Sequence, residues 1–294
     1  MWKNDNISSV GEHMNDLQKC QLNILIEFIR LCEEHNLTYY LVGGTCLGAV
    51  RHKGFIPWDD DIDVGMPRKD YDKFIQLQKE IKKPYFIQTY KSDKNYIYNF
   101  AKIRDCTTTF IENTFVCHQF NHGVWIDVFP IDGMSKEVKP AIEFKKKVRW
   151  TWHQVYLMYL PSLKRKLRLK TLWKDIPLNI VAFLFGLLNV GHYRNKLVDK
   201  KVTKLSYDDA VLVGNYFGNN AKREAMPKEI FEEGTDGVFE GIKVKLPKDY
   251  DKYLTLLFGD YMKLPPVEQQ IGHHFDKGFS LTEDYLTYRK EHNL

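Results

Sequence analysis

Apolar residues recur along the chain with two distinct periods. Leu17, Ile24, Leu25, Phe28 and Cys32 return at helical spacing, which predicts an amphipathic helix over residues 14–35. Residues 39–42 form a short apolar strand, broken by Gly43 and Gly44, and a short helix is expected over 45–52. From 61 to 66 acidic and apolar residues alternate, the period of a strand. Pro67 suits the first turn of a following helix that would carry Tyr71, Phe74, Leu77 and Ile81 on one face. Further strands are predicted at 85–90, 98–104 and 124–129, and the β-branched run 107–111 is expected to pair with the second of these as a hairpin. Near the C-terminus, 238–246 alternates as one strand, and 247–258 reads as a helix with Pro247 at its start and Gly259 just beyond its end.

Strands and helices mixed in this way predict an α+β fold, a mixed sheet flanked by helices. The composition is that of an ordinary globular chain, with 44% hydrophobic and 28% charged residues in 294. Disordered, collagen-like and small disulfide-rich classes are excluded. The five cysteines are odd in number and contain no CxxC pair, so reduced thiols are expected rather than a zinc site. The polar residues 1–18 contain no signal-like apolar core.

The net charge of +5 is unevenly divided. Residues 144–204 hold 15 Lys and Arg against only Asp175 and Asp199, a local +13 that leaves −8 on the remainder. Trp150, Trp152 and Trp173 lie in this stretch, as does an apolar run over 176–190 that is shorter than the ~20 residues needed to span a bilayer. Two readings stand: an element lying in a membrane interface through 162–201, its bases meeting anionic headgroups, or a buried helical hairpin with a solvated basic face. Nucleic acid is not expected as a partner.

The densest chemistry lies in residues 41–66, LVGGTCLGAVRHKGFIPWDDDIDVGM. Residues two apart on a strand share a face, so Asp61 and Asp63 would stand side by side. Such carboxylates repel unless a cation sits between them, and Mg²⁺ takes oxygen ligands of this kind while bridging to phosphates. Gly43 and Gly44 allow close backbone approach, placing the Gly44 and Thr45 amides where a phosphate oxygen could meet them. Asp59 and Asp60 read as solvated acids ahead of the strand. Asp127 interrupts an apolar strand, where a charge needs either an ion-pair partner or a bound cation. Asp132, beside Gly133, reads as a turn residue. Arg51, His52 and Lys53 are either phosphate clamps or surface charge, and Lys102 and Arg104 share one strand face.

The segment from Gly43 to Met66, with FAKIR at 100–104, TTFI at 108–111, WIDVFPIDG at 125–133 and GDYMKLPP at 259–266 followed by His273 and His274, resembles the signature of the LicD family of phosphocholine transferases. That family is related to fukutin-type sugar phosphotransferases and belongs to the nucleotidyltransferase-fold superfamily. The resemblance covers residues 14–140 and 235–275. It implies a nucleotidyltransferase-like mixed sheet, formed by 1–143 and completed by 205–294, with 144–204 as an inserted basic, aromatic helical segment.

By the same resemblance, Asp61, Asp63 and Asp127 are the catalytic and metal-holding carboxylates. Gly43 and Gly44 take the places of its glycine pair, and the residues themselves offer Thr45, Arg51, His52, Lys102, Arg104 and His273 as candidate contacts to phosphate or substrate. The cofactor is Mg²⁺, with Mn²⁺ as the alternative ion. The implied donor is CDP-choline or a similar activated alcohol, with CMP leaving. The acceptor is a hydroxyl of a cell-surface glycan, such as a lipid-linked teichoic-acid or lipopolysaccharide precursor, at the cytoplasmic face of the membrane. Aromatic faces should surround a choline ammonium, and Trp58 and Trp125 are candidates unless both are core. The other readings are transfer of the nucleotidyl group itself and a non-catalytic membrane-associated binding protein.

Overall fold

The computed structural model describes residues 14–116, 118–158, 190–218, 223–272 and 276–294. The first element of the described residues is α1 (Asp16–Glu34). Its start is fixed by a capping box: the Asn15 side chain accepts from the Gln18 N–H at 2.8 Å, and the Gln18 side chain accepts from the Asn15 N–H at 3.1 Å. Ile24, Leu25, Phe28 and Leu31, spaced for one helical face, are fully buried. Two strands and two helices follow: β1 (Tyr40–Leu41), α2 (Gly43–Arg51), β2 (Asp63–Pro67) and α3 (Arg68–Phe74). The helix expected after Pro67 ends at Phe74, and Leu77 belongs to a separate 3₁₀ turn.

β3 (Tyr85–Gln88), β4 (Ala101–Asp105) and β6 (Trp125–Met134) complete the main sheet, ordered β1-β2-β6-β4-β3. The β2–β6 pair is parallel and the other pairs are antiparallel. On β2, β6 and β4 the positions Val64, Met66, Ile126, Val128 and Ile103 are completely buried, in one cluster with the apolar face of α1, which packs across β4 and β6. The alternate positions Asp63, Gly65, Asp127, Phe129 and Lys102 line a cavity on the opposite face.

Three sequence expectations are corrected. The run 107–111 does not form a hairpin with β4, because β3 and β6 occupy both edges of β4. Its strand, β5 (Thr109–Glu112), pairs instead with β11 (Asp276–Ser280) from the far end of the chain. Asp132 is not in a turn: β6 continues through it, and its second half pairs with β7 (Leu212–Gly214), which in turn pairs with β8 (Met226–Pro227). The single strand expected over 238–246 is a hairpin of β9 (Thr235–Phe239) and β10 (Ile242–Leu246), turned by Glu240 and Gly241 at φ +47° and +77°.

The other α-helices among the described residues are α4 (Val138–Met158), α5 (Val190–Val202), α6 (Tyr250–Phe258) and α7 (Tyr285–His292). The change in composition at residue 144 falls inside α4. Ala141 and Val148 of α4 pack with Val198 and Val202 of α5 and with Leu212 and Tyr216. Trp150 of α4 and Tyr193 of α5 stay largely exposed. The basic run 164–174 and the apolar run up to 189 lie outside the described residues. Among the described residues no helix is long and apolar enough to cross a membrane.

Burial of Asp132 is possible because Arg68 grips it with both ends of its fork, Nε to Oδ1 at 2.6 Å and a terminal nitrogen to Oδ2 at 2.7 Å. Removing one partner strands the other charge. Asp132→Ala should therefore destabilise the protein by about 3–5 kcal/mol, read as a lowered urea midpoint with unchanged m-value; a loss under about 1 kcal/mol would show that water, not Asp132, suffices for Arg68.

Candidate active site

Strand register builds the core of the site. Asp63 on β2 lies opposite Asp127 on β6, and Asp127 lies opposite Lys102 on β4. The result is a row of two carboxylates and an ammonium across three strands. Lys102 Nζ reaches Asp127 Oδ1 at 2.7 Å, so the charge inside the apolar strand is ion-paired. Lys102 also sits 4.2 Å from the centroid of the Trp125 ring, with Tyr98 at 5.5 Å and Phe100 at 5.8 Å.

Asp61 precedes β2 and lies outside the strand, yet it opens into the same cavity as Asp63. So does Asp59, which sequence reading left in solvent. Asp59, Asp60 and Asp61 bring carboxylate oxygens within 4.8 Å of one another. The glycines make room for these acids: a Cβ at Gly44 would stand 3.0 Å from Asp59 Oδ2, and one at Gly43 would stand 3.0 Å from Asp63 Oδ2. Gly43 also has φ +55°, a conformation that favours glycine.

α2 therefore begins at the double glycine, two residues earlier than its expected start. Its first-turn amides have no acceptor within the helix. The Gly43 N–H donates to the Tyr253 hydroxyl at 2.9 Å, a contact from α6 that no local sequence signal announces. Thr45 is buried and does not line the cavity; its hydroxyl accepts from the Asp63 N–H at 2.8 Å and so positions the carboxylate's backbone. The Asp127 N–H donates to the Ile62 carbonyl at 2.8 Å, locking the approach to β2 against β6.

The cavity bounded by these elements has a volume of about 810 Å³. Arg51 lines it while donating to the Tyr261 carbonyl at 2.7 Å. Trp58 lines it as well. Three other candidates sit away from the cavity lining. His52 lies outside the lining, edge-on to Trp58, with its pKa lowered by burial and by Arg51. Arg104 is fully buried and donates to Gln88 Oε1 and the Gly123 carbonyl, so it cannot reach a phosphate. Trp125 is core, covered by the cations of Lys102 and Arg104. His273 lies outside the described residues.

Burial pushes the Asp63 carboxyl well above its usual range, reinforced by Asp61, Asp127 and Asp59 and opposed by Lys102. A buried acid held in this way fits a bound divalent cation, which would relieve the repulsion. The chemistry of the donor set is right for a hard cation: Asp59, Asp61 and Asp63 offer carboxylate oxygens to one cavity.

The family described as LicD/FKTN/FKRP, nucleotidyltransferase domain, matches residues 36–172. The chain is 34% identical to the lipopolysaccharide cholinephosphotransferase LicD of Haemophilus influenzae, over 91% of this chain and 98% of that protein. It is 40% identical over 63 residues to the human ribitol 5-phosphate transferase FKRP, a stretch covering 20% of this chain and 13% of that one.

Two outcomes follow from this geometry. In chelator, a carboxyl with a raised folded pKa binds its proton more readily in the folded state, so stability falls as pH rises above about 4. Asp63→Asn should remove that loss and be more stable than the parent in urea at pH 7, with the difference shrinking towards pH 4; a less stable variant at pH 7 would contradict the assignment. Thr45→Val leaves the Asp63 N–H without its acceptor and should lower stability by about 1–3 kcal/mol, whereas Thr45→Ser should retain it, as measured by thermal unfolding.

Proposed function

The chain belongs to the LicD/FKTN/FKRP nucleotidyltransferase-domain family, and from that premise we propose that this transferase moves phosphocholine from CDP-choline to a hydroxyl of a lipopolysaccharide or related cell-surface glycan precursor. The observation that carries the reading is the Asp63–Asp127–Lys102 row, joined by Asp59 and Asp61 in one cavity beside the glycine N-terminus of α2. Similarity to a cholinephosphotransferase along nearly its whole length supports the choice of substituent and acceptor.

In this reading Asp59, Asp61 and Asp63 hold Mg²⁺, with Mn²⁺ as the alternative ion. An ion bound there would supply positive charge to offset that of the diphosphate and of the departing CMP. The first-turn amides of α2 and the Arg51 guanidinium receive phosphate oxygens. Asp127, oriented by Lys102, takes the proton of the acceptor hydroxyl. The acceptor oxygen bonds to the phosphorus that carries choline, and the bond from that phosphorus to the bridging oxygen breaks, releasing CMP. Residues 1–143 and 205–294 form the catalytic unit in this account. The basic stretch 162–201 suits contact with an anionic membrane at the cytoplasmic face, where a nucleotide-activated donor is available.

Incubation with CDP-choline, Mg²⁺ and a glycan acceptor should release CMP in step with acceptor labelling. Asp61→Asn and Asp63→Asn should each lower kcat by at least about a hundredfold, with the fold intact by circular dichroism. Pyrophosphate release from a nucleoside triphosphate, without CMP release from CDP-choline, would replace the reading with nucleotidyl transfer.

A further inference from the structure

The sheet face that carries the acidic row changes character along its length. Strand alternation places Phe129 beyond Asp127 on β6 and, at the entry to the antiparallel β4, Phe100 and Tyr98 before Lys102. The three rings gather at one end of the cavity. Phe100 and Phe129 have centroids 4.5 Å apart, and Tyr98 and Phe100 are 4.7 Å apart, all tilted rather than edge-on. All three line the same cavity as the carboxylates, and Tyr98 and Phe129 are only half-buried.

Filling this corner would need only aliphatic side chains. Rings add a negative π face, which attracts a cation and asks for no hydrogen bond in return. That matches a quaternary ammonium, which has no N–H to donate. The ring faces here are of the kind that accept a cation, since the Lys102 ammonium already lies within 6 Å of two of them. Lys102 itself is closer to Trp125, and Asp127 neutralises it, so a second cation would not meet a bare ammonium. The reach is also suitable. Two residues along a strand span about 7 Å, which a phosphate ester of a two-carbon amino alcohol bridges from the Asp127 position to the Phe129 ring.

We propose that Tyr98, Phe100 and Phe129 form the subsite that receives the trimethylammonium group of the donor and so select choline over less methylated alcohols. The inference rests on the phosphocholine-transfer reading above. A primary ammonium is strongly hydrated and needs several acceptors, of which these rings offer only the Tyr98 hydroxyl, so this wall favours the fully methylated group. The competing occupant is the cytosine base, which would stack on the same rings.

Calorimetric titration of the full chain with CMP, CDP-choline and CDP-ethanolamine, each with Mg²⁺, separates these occupants. Phe129→Leu keeps most of the volume and removes the π face. It should weaken CDP-choline about tenfold, leave CMP within about twofold, and erode the preference over CDP-ethanolamine. Tyr98→Leu should act in the same direction, and retained CMP affinity reports an intact fold in either variant. Equal weakening of CMP and CDP-choline would overturn the proposal in favour of base stacking, and unchanged CDP-choline affinity in both variants would overturn it outright. A parent chain that releases no CMP from CDP-choline brings down the functional reading and this inference with it. Turnover of CDP-choline with an undiminished choline preference in the variants overturns the inference alone.

Discussion

Two carboxylates facing each other across a parallel strand pair are the constraint around which this molecule is arranged. The β2–β6 register sets Asp63 against Asp127 on the cavity face of the sheet, where like charges side by side repel. Much of what surrounds the pair compensates. Lys102 answers Asp127 from the next strand, Thr45 fixes the backbone of Asp63, and α2 points the positive end of its dipole towards the same space. The opposite face of these strands carries no such burden, and there Val64, Ile126, Val128 and Ile103 close against α1 as ordinary core.

What the sequence announced and what it withheld divide along the same physical line. α1, β2 and α6 were legible because their periodicity and caps are set by near neighbours in the chain. The side-by-side placement expected of Asp61 and Asp63 on one strand does not arise that way, since β2 starts at Asp63 and Asp61 reaches the cavity from the loop before it. The partner of β5 was not, because an edge must be free for a hairpin to form, and both edges of β4 are taken by strands that a local window does not compare. Asp132 next to Gly133 carries turn chemistry, yet a guanidinium from α3 makes it a buried strand residue. Asp59 looked like one more solvated acid in a run of three. Only the missing side chain at Gly44, brought close by folding, shows that there is room for it at the site.

The basic segment also looks different once α4 is in place. Its charge suggested an outward-facing element, but successive turns have separate roles. Lys145 is buried against Glu224 and the Asn215 carbonyl, while Arg149, one turn on, lines the cavity. α4 thus contributes a residue to the wall of the site. An apolar seam of Ala141 and Val148 with Val198 and Val202 holds α5 to the same helix.

Gly43 stands near the beginning of the chain and Tyr253, which receives its N–H, near the end; β5 likewise waits for β11. A ribosome delivers these partners in order, and domains fold as the chain emerges. The acids are delivered early, by β2 and β6, but the pocket that they line also takes Tyr253 and Leu257 from α6, so the site is complete only when the C-terminal part of the fold has joined the sheet.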